Sequence, residues 1–313
     1  MQVAATTGEE HRRSYASRLV MVAIYLAAIA VVGTVVAQKP DDPKLKPRMV
    51  KLKTKDGIEL RAFYFPSAEG KEAVTALIVH EWEGQASPYQ KLVLALRDSG
   101  CAVLIPDYRG HGGSREYIGP RGTVEQFNLA QMSRRDVENI IAFDLEKAKA
   151  FLKDENNEGN LNLNALVVIG IREGCVLAAH WAKRDWSFPS VGRLKQGQDV
   201  KGLVLISPEK QVKGIGIDQA INNPALLRLP VMIAAGGSSP EASEARRLGK
   251  RIEGIKKRLG RGEATGFEME LFDTTLSGPS LVNDYGAVIP SIVEFIKTNV
   301  DGAGEENPYI ERD

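Results

Sequence analysis

The chain is poor in cysteine and histidine. Its 313 residues hold two cysteines, Cys101 and Cys175, with no CxxC pair and no spacing that suits a zinc site. The four histidines are His11, His80, His111 and His180. None lies beyond residue 180, so no catalytic arrangement can draw a histidine from the C-terminal part. A charge imbalance is missing too. Residues 1–37 carry Arg12, Arg13 and Arg18 against Glu9 and Glu10, which leaves 38 basic and 38 acidic residues from totals of 41 and 40. A balanced domain gives no reason to expect a nucleic acid or an anionic membrane surface as partner. Internal repeats and low-complexity blocks are absent, and nothing suggests a metal or an organic cofactor.

One long apolar run is present. Leu19 to Ala37 carries no charge and follows the three arginines. Val35-Val36-Ala37 places small residues where a signal peptidase would cut, as in an export signal. The same run is long enough to remain as a membrane anchor. In both cases the basic flank keeps the N-terminus inside, so residues 38–313 are expected to be extracytoplasmic: periplasmic, secreted or tethered. The membrane is then met only through the N-terminal segment. Residues 38–47 are polar and proline-rich, as in a linker.

Strand and helix patterns alternate from there. Met49–Thr54 and Ile58–Phe65 flank Asp56-Gly57, a hairpin signal. Apolar strands follow at Ala73–His80, Cys101–Pro106, Ala165–Ile169, Gly202–Ser207, Val231–Ala235 and Phe267–Phe272. Between them, helical stripes run through Tyr89, Leu92, Val93 and Leu96; through Val137, Ile140, Ile141, Leu145, Ala148 and Leu152; and through Ala245, Leu248, Ile252, Ile255 and Leu259. Val288, Ile292, Phe295 and Ile296 mark the last helix. Glu116–Gln131 has weak periodicity and suggests a small cap. Lys256-Lys257-Arg258 reads as the solvated end of a helix, and residues 300–313 as a polar, disordered tail. The pattern implies an α/β domain over residues 48–299: a doubly wound, mostly parallel sheet of about eight strands with helices on both faces. Cys101 then enters a strand at one end of the sheet and Cys175 lies past the other end of another strand. That separation is roughly 17–20 Å, beyond the ~7 Å reach of a disulfide, so two free, buried thiols are expected.

Gly170-Ile171-Arg172-Glu173-Gly174 stands between an apolar strand and a helical run. This is the strand–turn–helix context of the nucleophile elbow G-x-S-x-G, with arginine in the nucleophile's place. A guanidinium stays protonated and is no nucleophile. Two further segments share the order. His80-Glu81-Trp82-Glu83-Gly84 ends the first central strand, and Asp107-Tyr108-Arg109-Gly110-His111-Gly112-Gly113-Ser114 follows the second. Together the three segments resemble the α/β-hydrolase superfamily, near its dienelactone-hydrolase-like and serine esterase-like branch. The likeness covers roughly residues 48–299. It implies an oxyanion hole built in part by the His80–Gly84 backbone, and a triad whose positions fall on Arg172, Ser239 and Ser277. None of these is the expected Ser, Asp or His, although Glu209, one strand earlier, offers an alternative acid. The Ser-His-Asp mechanism therefore lacks its parts.

The remaining polar residues divide between binding and packing. Arg172 at a helix N-terminus suits an anion site or an internal salt bridge. A cation at the positive end of a helix needs a counter-charge; Glu173 is adjacent and Glu81 projects from the neighbouring strand end, and an Arg172–Glu81 pair is expected over the anion site. Trp82 borders the pocket. His80, His111 and His180 read as packing residues, Trp181 and Trp186 as covers of the sheet, and Asp107 and Arg109 as braces of their own loop. The resemblance and its broken triad lead to three expectations. The first is a catalytically inactive hydrolase-like protein that binds a small anionic or apolar ligand, or acts as a scaffold, at the cell envelope through Glu81, Trp82, Arg172 and Glu173. The second is an active ester or lactone hydrolase in which Glu173 or Glu81 activates water. The third is a purely structural domain with a filled pocket beneath Trp82.

Overall fold

A computed structural model describes residues 43–189 and 195–312. The N-terminal apolar run, read as signal or anchor, and linker residues 38–42 lie outside the described residues. Among the described residues no helix is long and apolar enough to cross a membrane.

Twelve strands are described. β1 (Arg48–Lys53), β2 (Glu59–Phe65), β3 (Val74–Val79), β4 (Ala102–Asp107), β7 (Asn162–Ile171), β8 (Val200–Ile206), β11 (Val231–Gly236) and β12 (Phe267–Phe272) form one sheet. Its order is β1-β2-β4-β3-β7-β8-β11-β12. β2 runs antiparallel to β1 and β4, and every later pairing is parallel. Two small hairpins stand outside it: β5 (Glu116–Ile118) with β6 (Val124–Gln126), where a cap was expected, and β9 (Gln211–Val212) with β10 (Ile215–Gly216).

The helices are α1 (Gln90–Asp98), α2 (Arg134–Asn139), α3 (Leu145–Asn157), α4 (Gly174–Asp185), α5 (Asp218–Ile221), α6 (Ala242–Leu259), α7 (Gly278–Asp284) and α8 (Val288–Asn299). α2 and α3 are joined by a π turn, Ile140–Asp144, so the single helical stripe read from the sequence is one helical run with a widened turn inside it.

The period of two along each central strand divides the core. Leu77 and Val79 of β3 and Leu166 and Val168 of β7 face one layer, with α3, α4 and α6. Ala76, Ile78, Val167 and Ile169 face the other, with α1, α7 and α8. Strands buried on both faces read as continuous apolar runs, which is why they are conspicuous in the sequence. Both cysteines are free and buried, as their expected positions in the sheet require. Burial pushes the Cys101 thiol up to about 11.

Two expectations are corrected. The C-terminal tail is pinned, not disordered. Asn162 donates to the carbonyls of Gly302 and Asn307, Asn164 to that of Pro308 and Asn156 to that of Ile310. Side-chain amides at the start of β7 thus satisfy backbone groups of a segment with little apolar content, a partnership that composition does not show. The end of α6 is also different. Leu259 is exposed and Lys256 is buried, its Nζ donating to the Leu229 and Thr265 carbonyls. Its aliphatic stem fills the stripe while the ammonium finds carbonyl partners.

A buried charge network ties the tail to the sheet. Lys149 on α3 contacts Asp185 at 2.5 Å and Asp199 at 2.9 Å, and Asp199 also pairs with Lys195 and with Arg312 of the tail. Removing Lys149 leaves the buried Asp185 carboxylate without its counter-charge. Lys149→Met is expected to lower the unfolding free energy by about 3–5 kcal/mol, read from the urea midpoint. An unchanged midpoint would mean that the network is neutralised without this lysine.

Candidate functional site

β7 runs into a turn at Arg172, whose φ is +50°, and α4 starts at Gly174. A left-handed non-glycine residue costs on the order of 1–3 kcal/mol, so the strained geometry of a nucleophile elbow is kept although the nucleophile is not. The flanking glycines are needed for space. A Cβ at Gly170 would lie 2.6 Å from Cys175 Cα, and one at Gly174 would lie 2.2 Å from the Val79 carbonyl oxygen. The helix therefore starts hard against the end of β3, where the His80–Gly84 segment begins.

That segment is held from behind. Asp107, at the end of β4, accepts the amides of Ala86 and Gly113, both at 2.8 Å. The Tyr108 hydroxyl donates to the carbonyls of His80 and Glu81. The Arg109 guanidinium reaches Asp144 in the π turn and Asp56 in the first hairpin. Asp107 and Arg109 are braces, as expected, and they reach beyond their own loop. Trp82 lies with its ring 4.7 Å from that of His111 and beneath the ammonium of Lys213, which comes from the β9–β10 hairpin.

Arg172 is paired, but not with Glu81. Its Nη2 lies 2.8 Å from Glu209 Oε1 and 3.3 Å from Glu241 Oε1, and its Nε lies 4.0 Å from Glu173 Oε2. Glu81 instead accepts a short hydrogen bond from the Tyr89 hydroxyl. The 80–84 turn directs Glu81 toward the 84–89 loop, so it is not brought to the site. Burial pulls the Arg172 pKa down, but Glu209, Glu173 and Glu241 more than offset this and the net shift is upward.

Glu173 has a second role. Its Oε2 accepts the Trp82 amide at 3.3 Å. In this fold the oxyanion hole is made by the amide after the nucleophile and one from the loop after the first central strand. Glu173 and Trp82 hold those places, and the Glu173 carboxylate occupies the Trp82 donor. The Arg172 charge works to lower the Glu173 pKa. Burial, with Glu209, outweighs it, and the net shift is upward.

The other two triad positions also converge here. Ser207, at the end of β8 with φ +48°, accepts the Gly278 amide at 3.0 Å. This draws Ser277-Gly278 inward until a Cβ on Gly278 would lie 2.8 Å from Arg172 Cδ. Ser239 follows β11, two residues before Glu241. The Ser239 and Ser277 hydroxyls, Glu241 Oε2, Arg172 Nε and Trp82 Nε1 are all buried without a hydrogen-bond partner. Of the expected residues, Arg172, Glu173, Trp82, Ser239 and Ser277 are thus placed around the elbow. Glu241 was missed. Its only sequence signal is an acidic residue just past the loop that normally carries the catalytic acid. Among the described residues no group of three or more His, Cys, Asp or Glu side chains is arranged to hold a metal ion.

The histidines are not positioned as bases. His80 and His111 are buried with unpartnered Nε2 atoms, and His180 reaches the Gly216 carbonyl at 2.9 Å. Burial depresses the His80 pKa, and burial together with His80 pushes His111 down to about 3. Both folded values lie below the unfolded one, ~6.5. The stability each contributes is therefore complete above that pH and is lost as pH falls, for His111 down toward about 3. The stability difference between wild type and His111→Phe is expected to shrink by up to ~1.4 kcal/mol per pH unit below about pH 6.5. Urea titrations from pH 7 to 4.5 measure it, and parallel curves would refute a buried neutral His111.

Comparison with known proteins agrees with this geometry. The profile of the family described as "Serine aminopeptidase, S33" matches residues 70–228. An uncharacterized protein of Mycobacterium tuberculosis is 33% identical over 84 residues, which is 27% of this chain and 30% of that protein's length. Among solved structures, an esterase from Pyrococcus furiosus superposes with a TM-score of 0.57 at 16% identity, covering 83% of this chain and 94% of the esterase. A dienelactone hydrolase from Anabaena variabilis gives 0.56 at 13% identity, covering 82% and 98%. These structural likenesses speak for the fold. With the family profile spanning half of the sequence, the chain belongs to the serine aminopeptidase family of the α/β-hydrolase superfamily.

Proposed function

We propose that this protein binds a small molecule at the position of the family's catalytic centre and does not hydrolyse it. The observation that carries this reading is the double occupation of the elbow. The nucleophile position holds Arg172, paired with Glu209 and Glu241, and the Trp82 amide that would stabilise a developing oxyanion is taken by the Glu173 carboxylate. Acyl transfer needs a nucleophile, a base and free donors for the oxyanion. Unpartnered polar atoms around the same point favour ligand binding over a purely structural role, because buried polar groups are ordinarily satisfied.

The alternative, an active hydrolase with a carboxylate base, draws on the raised Glu173 pKa. Against it, Glu173 is engaged by the Trp82 amide and Glu81 by the Tyr89 hydroxyl. The family name would make an aminoacyl substrate the first candidate for such activity. The proposed place of action is the cell envelope, supported by the charge-free run Leu19–Ala37 behind three arginines.

Two outcomes are expected. The full chain and Arg172→Ala show no turnover above buffer on short-chain aryl esters, lactones and aminoacyl anilides. Turnover by the native protein that Arg172→Ala abolishes would sink the binding reading and make this arginine part of an unfamiliar active site. Residues 1–47 fused to an alkaline phosphatase that is active only after export are expected to give active enzyme in a Gram-negative host. An inactive fusion would place the domain in the cytoplasm.

A further inference from the structure

The charge of the site does not suit an anion. One guanidinium faces three carboxylates, those of Glu173, Glu209 and Glu241. Two further cations are held on other groups: Lys213 lies over the Trp82 ring with its Nζ donating to the Leu129 carbonyl, and Arg246 donates to the Gly237 carbonyl. The immediate site therefore carries a surplus of two negative charges. A ligand anion would have to displace a carboxylate from Arg172.

The unpartnered atoms define the complement more closely. The Glu241 side chain is only 3% exposed. Its Oε1 meets Arg172, and its Oε2 is buried with no donor. A carboxylate oxygen accepts and never donates when ionised, so this atom calls for an N–H or O–H from a ligand. Arg172 Nε is a buried donor with no acceptor, and it belongs to the guanidinium that Glu241 touches. The Ser239 and Ser277 hydroxyls, also buried and unpartnered, either donate or accept. Trp82 Nε1 is a second buried donor without an acceptor, so the set lacks one strong donor, preferably positive, and neutral acceptors beside it. A purely anionic ligand supplies no donor, and a hydrocarbon supplies neither.

We infer that the site binds a small organic cation of the amino-alcohol class, whose ammonium sits against Glu241 Oε2 and whose hydroxyl oxygen accepts from Arg172 Nε. The inference rests on the non-hydrolytic binding reading and names its ligand class. The ammonium offers three donors, one for Glu241 and others for the serine hydroxyls, and it brings positive charge to a site with negative charge in surplus. An aryl or alkyl substituent would extend toward Trp82, whose backbone amide meets Glu173. The anionic ligand expected from Arg172 in the sequence is replaced by its opposite, because the charge of Arg172 is already spent on its own chain.

A matched series tests this on the full-length protein by calorimetry: 2-amino-1-phenylethanol, 2-phenylethylamine, 1-phenylethane-1,2-diol and mandelate. The amino alcohol is expected to bind at least tenfold more tightly than the diol or mandelate, and more tightly than the amine without the hydroxyl. Glu241→Gln is expected to weaken it at least tenfold while leaving the diol unchanged. If Glu241→Gln does not fold by circular dichroism, Ser239→Ala and Glu209→Gln serve instead, each expected to weaken the amino alcohol selectively. Preference for mandelate, equal binding of all four probes, no binding of the amino alcohol, or variants that leave its affinity unchanged would overturn the inference. Ester turnover by the native protein would instead refute the binding reading and leave the cation preference to stand or fall on the calorimetry.

Discussion

A positive side chain held at the positive end of a helix must be neutralised, and the site is organised around that requirement. Arg172 occupies the left-handed turn between β7 and α4. There the free amides of the helix already present partial positive charge. Three carboxylates answer it: Glu209 from the loop after β8, Glu241 from the loop after β11, and Glu173 from the turn itself. Neutralising one arginine thus draws together the ends of neighbouring strands of the sheet, in the place where the superfamily keeps a nucleophile, an acid and a base.

The scaffold beneath is that of a hydrolase and has changed little. Gly170 and Gly174 permit the same close approach of helix to strand ends, and the strained backbone persists at the elbow. Asp107, Tyr108 and Arg109 still fix the segment after β3 from behind, through Ala86, His80, Glu81, Asp56 and Asp144. What differs is the chemistry of the side chains set on it. The Glu173 carboxylate accepts the Trp82 amide, and Ser239 and Ser277 stand where the resemblance implies an acid and a base. A fold hosts many functions because such exchanges leave its packing intact. Here one guanidinium lies among three carboxylates, beside buried hydroxyls that have no hydrogen-bond partner.

Much of the architecture was legible in the sequence because it rests on local periodicity. β3, β4, β7, β8 and β11 lie between helices, are apolar on both faces and stand out as continuous runs. The glycines of the elbow announce a turn that no larger residue fits. The ends of the sheet implied that Cys101 and Cys175 cannot meet. The absence of a histidine after residue 180 removed the family's usual base without any coordinates. The covalent order of residues determines these features, and neighbours within a few positions reveal them.

The partnerships across the sheet were decided only by the tertiary structure. Glu81 was the natural counter-ion for Arg172 by strand adjacency, but the turn after β3 gives it to Tyr89, and Glu241, 69 positions beyond Arg172, takes the role instead. The tail reads as disordered by composition, yet it is held by amide side chains more than 130 residues earlier. Lys256 reads as solvated and is buried on two carbonyls. In each case the deciding contact joins residues far apart in the chain, and its energy depends on distance, burial and the competing partners at hand. The sequence alone determined the fold and the absence of any histidine beyond residue 180. Where each charge is neutralised, and therefore what the site has left to offer a ligand, was set by folding, because only folding brings those loops within hydrogen-bonding reach.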